Sequence, residues 1–169
     1  TDTMRNDYYG YTLTIDGNII NEGVIQDYSS GFTLNVNGNV INNGIWQNQY
    51  TYLNGTTDQH VTCLNDNWFG GYQFKVSNTD ATIYFDDEVG FDNIDVLFAN
   101  NNAELSENST LLMHDCYLNE CNLVGNGETS VMLGEGEYYV DGPFMQYTTL
   151  TDVTLTGDWG IGTSITWSG

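Results

Sequence analysis

Residues 11–26, YTLTIDGNIINEGVIQ, and residues 32–47, FTLNVNGNVINNGIWQ, are near copies of each other and align without a gap. Eight of the 16 positions are identical, among them Leu13/Leu34, Gly17/Gly38, Asn18/Asn39, Ile20/Ile41, Asn21/Asn42 and Gly23/Gly44. A fixed period of about twenty residues marks a solenoid, in which each coil buries its apolar face only against its neighbours. Within a copy the pattern alternates: Tyr11, Leu13 and Ile15 face one way, Thr12 and Thr14 the other. Two further short strands follow, Ile19-Ile20 and Val24-Ile25, with Asn/Gly corners between them. Gly and Asn at these corners are expected to supply positive φ. Coils stacked about 4.8 Å apart place Leu13 near Leu34, Ile20 near Ile41, Asn18 over Asn39 and Asn21 over Asn42. The asparagines then form amide ladders at the turns.

The rest of the chain supports an all-β fold. Its 169 residues include 21 Asn, 20 Thr and 19 Gly but only 3 Ala and 1 Pro. Strong helix formers are scarce and strand and turn formers abundant. The 23 aromatics supply bulky side chains for a core. After Gln47 the repeat loosens, and residues 48–71 read as a long excursion. Strand signals resume at 72–76, 81–85, 94–98, 111–113, 122–124, 130–133, 138–140, 148–156 and 161–167. Coil length is expected to rise towards about 25–30 residues, giving roughly six or seven coils and a rod of about 30 Å. The predicted fold is a right-handed parallel β-helix, a β-solenoid, the hand following the crossover preference of parallel strands. Residues 1–169 read as a single domain. With Thr1 first, no initiator Met and no signal peptide, the chain reads as a mature processed subunit or a segment of a longer chain.

The phrases GNIINEG and GNVINNG resemble the Gly/Asn-rich repeats of right-handed parallel β-helix proteins secreted by bacteria or displayed on their surface, the adhesin-like class. The resemblance covers residues 11–47. It implies an extracellular or cell-surface location and an adhesive or structural role.

Charge narrows the partners. The formal net charge is −21, with Arg5 and Lys75 the only Lys or Arg residues. Nucleic-acid binding needs clustered cations, so it is excluded as a class, and attraction to anionic membranes with it. No run of 18 apolar residues exists to cross a membrane as a helix. Such a chain repels itself unless cations screen or bridge it.

Several residues are candidates for chemistry. Asp86, Asp87, Glu88, Asp92 and Asp95 put five carboxylates within ten residues, a candidate calcium site. Asp86 and Asp87 with nearby aromatics are also the candidates for an alternative reading, a carbohydrate-binding or polysaccharide-degrading β-helix. Polygalacturonase-like enzymes are similar only in the Asp-Asp pair, and their Gly-His-Gly and Arg-x-Lys motifs are missing. Pectate lyase-like enzymes need a cationic base, and neither Arg5 nor Lys75 is near the cluster in sequence. His60 and Cys63, with His114, Cys116 and Cys121, hold all the soft metal ligands, but their spacing matches no standard zinc motif. In a secreted chain the cysteines are expected to oxidise, with Cys116–Cys121 or Cys63–Cys116 the candidate disulfides. Exposed aromatics at Tyr8-Tyr9, Tyr50, Tyr52, Trp68 and Tyr138-Tyr139 could stack on sugars.

No catalytic residue or cofactor other than calcium is expected. The leading expectation is a non-catalytic extracellular solenoid, a surface adhesin segment or a self-assembling filament subunit. Its expected partners are cell-surface glycan or further copies of itself, associating head to tail. That association would run through Tyr11, Leu13 and Ile15 at one end and Ile161, Ile165 and Trp167 at the other.

Overall fold

A computed structural model describes residues 2–6, 10–27, 31–77, 81–98, 103–136 and 143–169. Among these residues the chain is all strand and turn, wound as a parallel β-solenoid of about 7 turns. Each coil contributes to three faces in turn. The first face is an 8-stranded parallel sheet that opens with Thr12–Ile15, Thr33–Val36 and Tyr50–Leu53. It continues through Gln73–Val76, Asp95–Leu97, Tyr117–Asn119, Phe144–Gln146 and Gly160–Ile161. The second face begins with Ile19–Asn21, Val40–Asn42 and Gln59–Cys63, the third with Thr3–Asn6, Val24–Asp27 and Ile45–Gln47. In the last full coils the corner between these two faces straightens, so Asn122–Glu135 and Thr149–Gly157 each run through both.

The repeat sets the register. Leu13 pairs with Leu34 and Ile20 with Ile41. Leu34 is fully buried, whereas Ile20 and Ile41 lie on the outward side and Ile20 is 64% exposed. The expected excursion at residues 48–71 is a regular third coil. Its strand Tyr50–Leu53 pairs with Thr33–Val36 in full register, and Phe69 pairs with Trp46. Coil length does not climb steadily: hydrogen bonds between adjacent coils join residues separated by 20, 22 or 27 positions. The differences are absorbed at corners while the strands stay aligned.

Asparagine ladders form as expected, in two kinds. Asn21 and Asn42 are buried, and Asn21 Nδ2 donates to Asn42 Oδ1 at 2.8 Å. Asn18 and Asn39 form a surface ladder in which each Oδ1 accepts the backbone N–H of the residue above, Asn39 and then His60. The role of the repeat glycines differs from expectation. Gly17, Gly23, Gly38 and Gly44 are not at positive φ. Gly23, Gly38 and Gly44 are required because the coils touch: a Cβ on Gly44 would lie 2.3 Å from Gly23 O, and one on Gly38 would lie 2.5 Å from Gly17 C, whereas one on Gly17, in the first copy, would meet nothing within 4 Å. Positive φ is instead carried by Asn65, Asn93, Asn108 and several aspartates in the later coils.

The core is a column of aromatic and aliphatic side chains. Trp46, Phe69, Phe74 and Phe91 are all buried, with successive ring centroids 5.1, 5.0 and 5.0 Å apart. The indole N–H of Trp46 donates to Thr51 Oγ1 at 2.9 Å, and that hydroxyl donates to Asn48 Oδ1 at 2.7 Å. The polar groups of Trp46, Thr51 and Asn48 inside the core are therefore satisfied.

Two outcomes test this packing. Leu34→Ala removes a fully buried side chain between two coils and is predicted to lower stability by about 2–5 kcal/mol in chemical denaturation. Gly44→Ala is predicted to lower stability although it adds only one methyl, because its Cβ meets a backbone carbonyl. A melting temperature equal to wild type for Gly44→Ala would refute the close-approach role.

Candidate binding face

The first face is one continuous parallel sheet, and its outward positions fall in two rows set by strand register. One row runs Thr12, Thr33, Tyr50, Gln73, Asp95, Tyr117, Phe144. The other runs Thr14, Asn35, Tyr52, Lys75, Leu97, Asn119, Gln146. Register alone brings these residues together. Side chains on successive coils stand about 4.8 Å apart along each row.

The aromatics of this face are grouped on its third, sixth and seventh strands. Tyr50 meets Tyr72 edge-on at 5.5 Å and Tyr52 at 6.1 Å. Tyr117 and Phe144 stack at 5.4 Å with an interplanar angle of 10°. Tyr72 and Tyr147, flanking the strands, are each 53% exposed. Lys75 Nζ sits 6.0 Å from the Tyr52 ring centroid, a cation–π contact. Planar apolar rings alternate here with amides and hydroxyls. Such a surface can stack on the apolar faces of sugar rings while its polar groups bond their hydroxyls.

Neighbouring side chains strip water from several of these groups. Desolvation raises the pKa of the Tyr52 phenol, with Tyr50 adding to it, and that of Tyr117, with Asp95 and Tyr147 adding. Both phenols therefore remain neutral hydrogen-bond donors at physiological pH. Desolvation likewise raises the carboxyl of Asp95.

The acidic cluster is split by the fold. Asp86 and Asp87 occupy the corner between the second and third faces, with Asp87 at φ 58°. Glu88 and Asp92 begin and end one strand of the third face, and Asp95 begins the next strand of the first. An extended strand of that length separates its ends by about 13 Å. Among the described residues, no group of three or more His, Cys, Asp or Glu side chains is placed to hold a metal ion. Two of the carboxylates pair instead with the histidines. Asp86 accepts from Ser106 Oγ and lies 2.6 Å from His60 Nδ1, and His60 stacks on Tyr84 at 5.0 Å. The carboxylate sits between hydroxyl and imidazole, so the Ser106 proton is directed to Asp86 rather than to His60. This order does not activate a serine nucleophile. Asp92 lies 2.7 Å from His114 Nδ1.

The soft ligands are also dispersed. Cys63, Cys116 and Cys121 are free and buried, so neither expected disulfide forms. Cys116 and Cys121 flank the strand Tyr117–Asn119, which holds them at successive corners, beyond the reach of a disulfide. Burial pushes all three thiols up to about 12, so they persist as neutral thiols. Of the candidate sugar-stacking aromatics, Tyr50 and Tyr52 lie on the first face. Trp68 lies against Gly90, where an added Cβ would come within 2.2 Å of the indole. Tyr8, Tyr9, Tyr138 and Tyr139 lie outside the described residues. The expected self-association residues fall at opposite ends of the stack. Tyr11 and Leu13 are 63% and 39% exposed, and Ile15 is half-buried. Ile161, Ile165 and Trp167 border an apolar recess of about 490 Å³ floored by Met145, Leu150 and Leu155.

No protein-family model, curated protein or solved structure matches this chain.

The His114–Asp92 pair generates a pH prediction. The hydrogen bond to Asp92, followed by the charge of Asp115, raises the His114 pKa above its ordinary 6.5. A raised histidine contributes stability that is fully present below the unfolded-state pKa and lost as pH rises through the folded value. Wild type should therefore exceed His114→Gln in melting temperature at about pH 5, and the difference should vanish by about pH 9. An equal difference at both pH values would refute the pairing.

Proposed function

We propose that this chain is a non-catalytic extracellular solenoid of the bacterial surface-adhesin kind, and that its first face is adhesive and takes cell-surface glycan. The two outward rows carry this reading. They present Tyr50, Tyr117 and Phe144 beside Gln73, Asn119 and Gln146 on one sheet, with Tyr72 flanking it against Tyr50. A glycan laid along the solenoid axis would meet a ring or an amide at five of the seven coils in these rows, the exceptions being Thr12/Thr14 and Asp95/Leu97. The net charge of −21 supports an uncharged or cationic glycan over an acidic one, which the surface would repel.

The stack also offers a structural role. The recess bordered by Ile161, Ile165 and Trp167 is an apolar surface that a further coil could cover. That coil would come from a second copy or from more of the same polypeptide. This contact would be heterologous, so it would propagate rather than close.

The test is a screen of the intact chain against immobilised glycans, followed by titration of the best ligand. Tyr50→Ala and Tyr117→Ala, at surface positions, are predicted to fold normally. Each should weaken binding by about tenfold, as expected for losing one stacking ring. The ligand should be recovered uncleaved after prolonged incubation. Binding unaffected by both substitutions would sink the assignment to this face.

A further inference from the structure

The two ends of the stack are stepped at the same corner. Each coil runs through the first, second and third faces in that order. At one end the outermost strand is Thr3–Asn6, on the third face. At the other end the outermost strand is Thr166–Ser168, on the second face, and the third face stops at residues 154–157. The strand next in order there would lie on the third face, along residues 154–157, and Thr3–Asn6 is a third-face strand.

Side chains whose columns are buried in every coil between come to the surface at these ends. Leu13 and Ile161 are the two ends of one inward column. Its members from Leu34 to Met145 are at most 1% exposed, whereas Leu13 is 39% and Ile161 52% exposed. Met4 and Gly157 end the neighbouring column, which holds Trp46, Phe69 and Phe91. Met4 is 36% exposed, and Gly157 borders the apolar recess with no side chain to fill it.

The charges of the two ends also match. The outward column beside Met4 begins at Arg5 and passes through Gln26, Gln47, Asp92 and His114 to Glu135. Asp158 comes next, because it follows Gly157, the register partner of Gly134, and donates its N–H to Gly134 O at 3.1 Å. Two exposed carboxylates are therefore neighbours at this end. Like charges side by side in a sheet are unfavourable, and a cation beside them is favoured. Arg5, one of two Lys or Arg residues in the chain, stands in the same column on the outermost strand of the opposite end.

We propose that the two ends are partners: a second copy of this chain docks head to tail by one further step of the same coil, with its Thr3–Asn6 strand parallel to residues 154–158 and its Arg5 on Asp158 and Glu135. The inference rests on the structural role given above for the end recess and names its occupant. Continuing the register sets Leu13 of the incoming copy on Ile161, Met4 on Gly157 and Thr3 on Thr156. Apolar side chains that are exposed at each end are then buried, as their columns are elsewhere. A guanidinium has five donors, so Arg5 takes a carboxylate across the contact in addition to its interactions within its own chain. The −21 charges of two copies repel at long range, but physiological salt screens them beyond about 8 Å, and the contact itself acts at shorter range.

The experiment is sedimentation velocity of the intact chain at physiological salt, from micromolar to millimolar concentration. Oligomers should grow with concentration past the dimer, since the contact is heterologous and does not close. Arg5→Asp brings a third carboxylate to Asp158 and Glu135 and should weaken association at least about tenfold. Adding Asp158→Arg to it should restore association, with circular dichroism confirming that each variant is folded. Register is read by cysteines. Thr3→Cys and Thr156→Cys in one chain should give a ladder of disulfide-linked multimers on mild oxidation, because register partners lie within disulfide reach, and either substitution alone should give none. The native thiols are buried and do not compete. A chain that stays monomeric throughout would overturn the inference and leave the recess to a further coil of the same polypeptide. Association that ignores Arg5→Asp but falls with Ile161→Asp, or disulfide dimers of Thr3→Cys alone, would overturn the head-to-tail register and keep the recess as a contact. Association that ignores both Arg5→Asp and Ile161→Asp would remove the structural role of the recess as well. The glycan reading is untouched by each of these results.

Discussion

Everything in this molecule depends on the backbone hydrogen bonds between consecutive coils. They hold each coil about 4.8 Å from the next, so every residue lies directly on its register partner. A column of side chains must then be compatible from one end to the other. The inward column on the first face runs Leu13, Leu34, Thr51, Phe74, Val96, Leu118, Met145. Its one polar member, Thr51, is admitted because Trp46 and Asn48 occupy its hydroxyl. The same spacing explains the repeat glycines. Where a corner of one coil presses on the corner below, there is no room for a Cβ, whatever the local φ.

Charge is arranged around that constraint. A chain of −21 cannot stack carboxylate upon carboxylate without loss, because like charges in register destabilise a sheet. Along the first face, Asp95 lies between Gln73 and Tyr117 rather than beside another acid. Elsewhere two carboxylates are hydrogen-bonded to histidines of another coil: Asp86 to His60, and Asp92 to His114. Lys75 is set over an aromatic ring on the outward side of the first face. The surface as a whole therefore stays strongly negative, which bears on any ligand before a single contact is made.

How much of this could be read from the sequence depends on how locally it is encoded. The pairs Leu13/Leu34 and Asn21/Asn42 were legible because two coils share their corners and so align by eye. The third coil was not, since its strand Tyr50–Leu53 arrives after a shorter step and puts Thr51 where the pattern calls for an apolar residue. The acidic cluster misled for the opposite reason. Residues close in sequence were separated by an extended strand and a corner, while Asp115, far from them in sequence, came to share a recess with Asp95. The cysteines followed the same logic, since strands hold sequence neighbours apart. Tyr50 and Tyr52 stood out as exposed aromatics, yet Tyr72, Tyr117 and Phe144 did not. Only the register, which corner lengths determine, places them on the same face.

If the first face takes a glycan, as proposed, its open sheet would do so in a particular mode. A deep pocket concentrates affinity in a few enclosed contacts, whereas rows of half-exposed rings make each contact weak. Stacking of one ring contributes on the order of 1 kcal/mol. Affinity on such a face comes from repetition, since once the first unit is held the next binds at high effective concentration. On that proposal the ligand would be a polymer whose units advance by a distance close to the coil spacing, since otherwise the contacts fall out of phase after a few coils. Because the rows are irregular in composition, with Gln73 and Asp95 between Tyr50 and Tyr117, they do not treat all units alike.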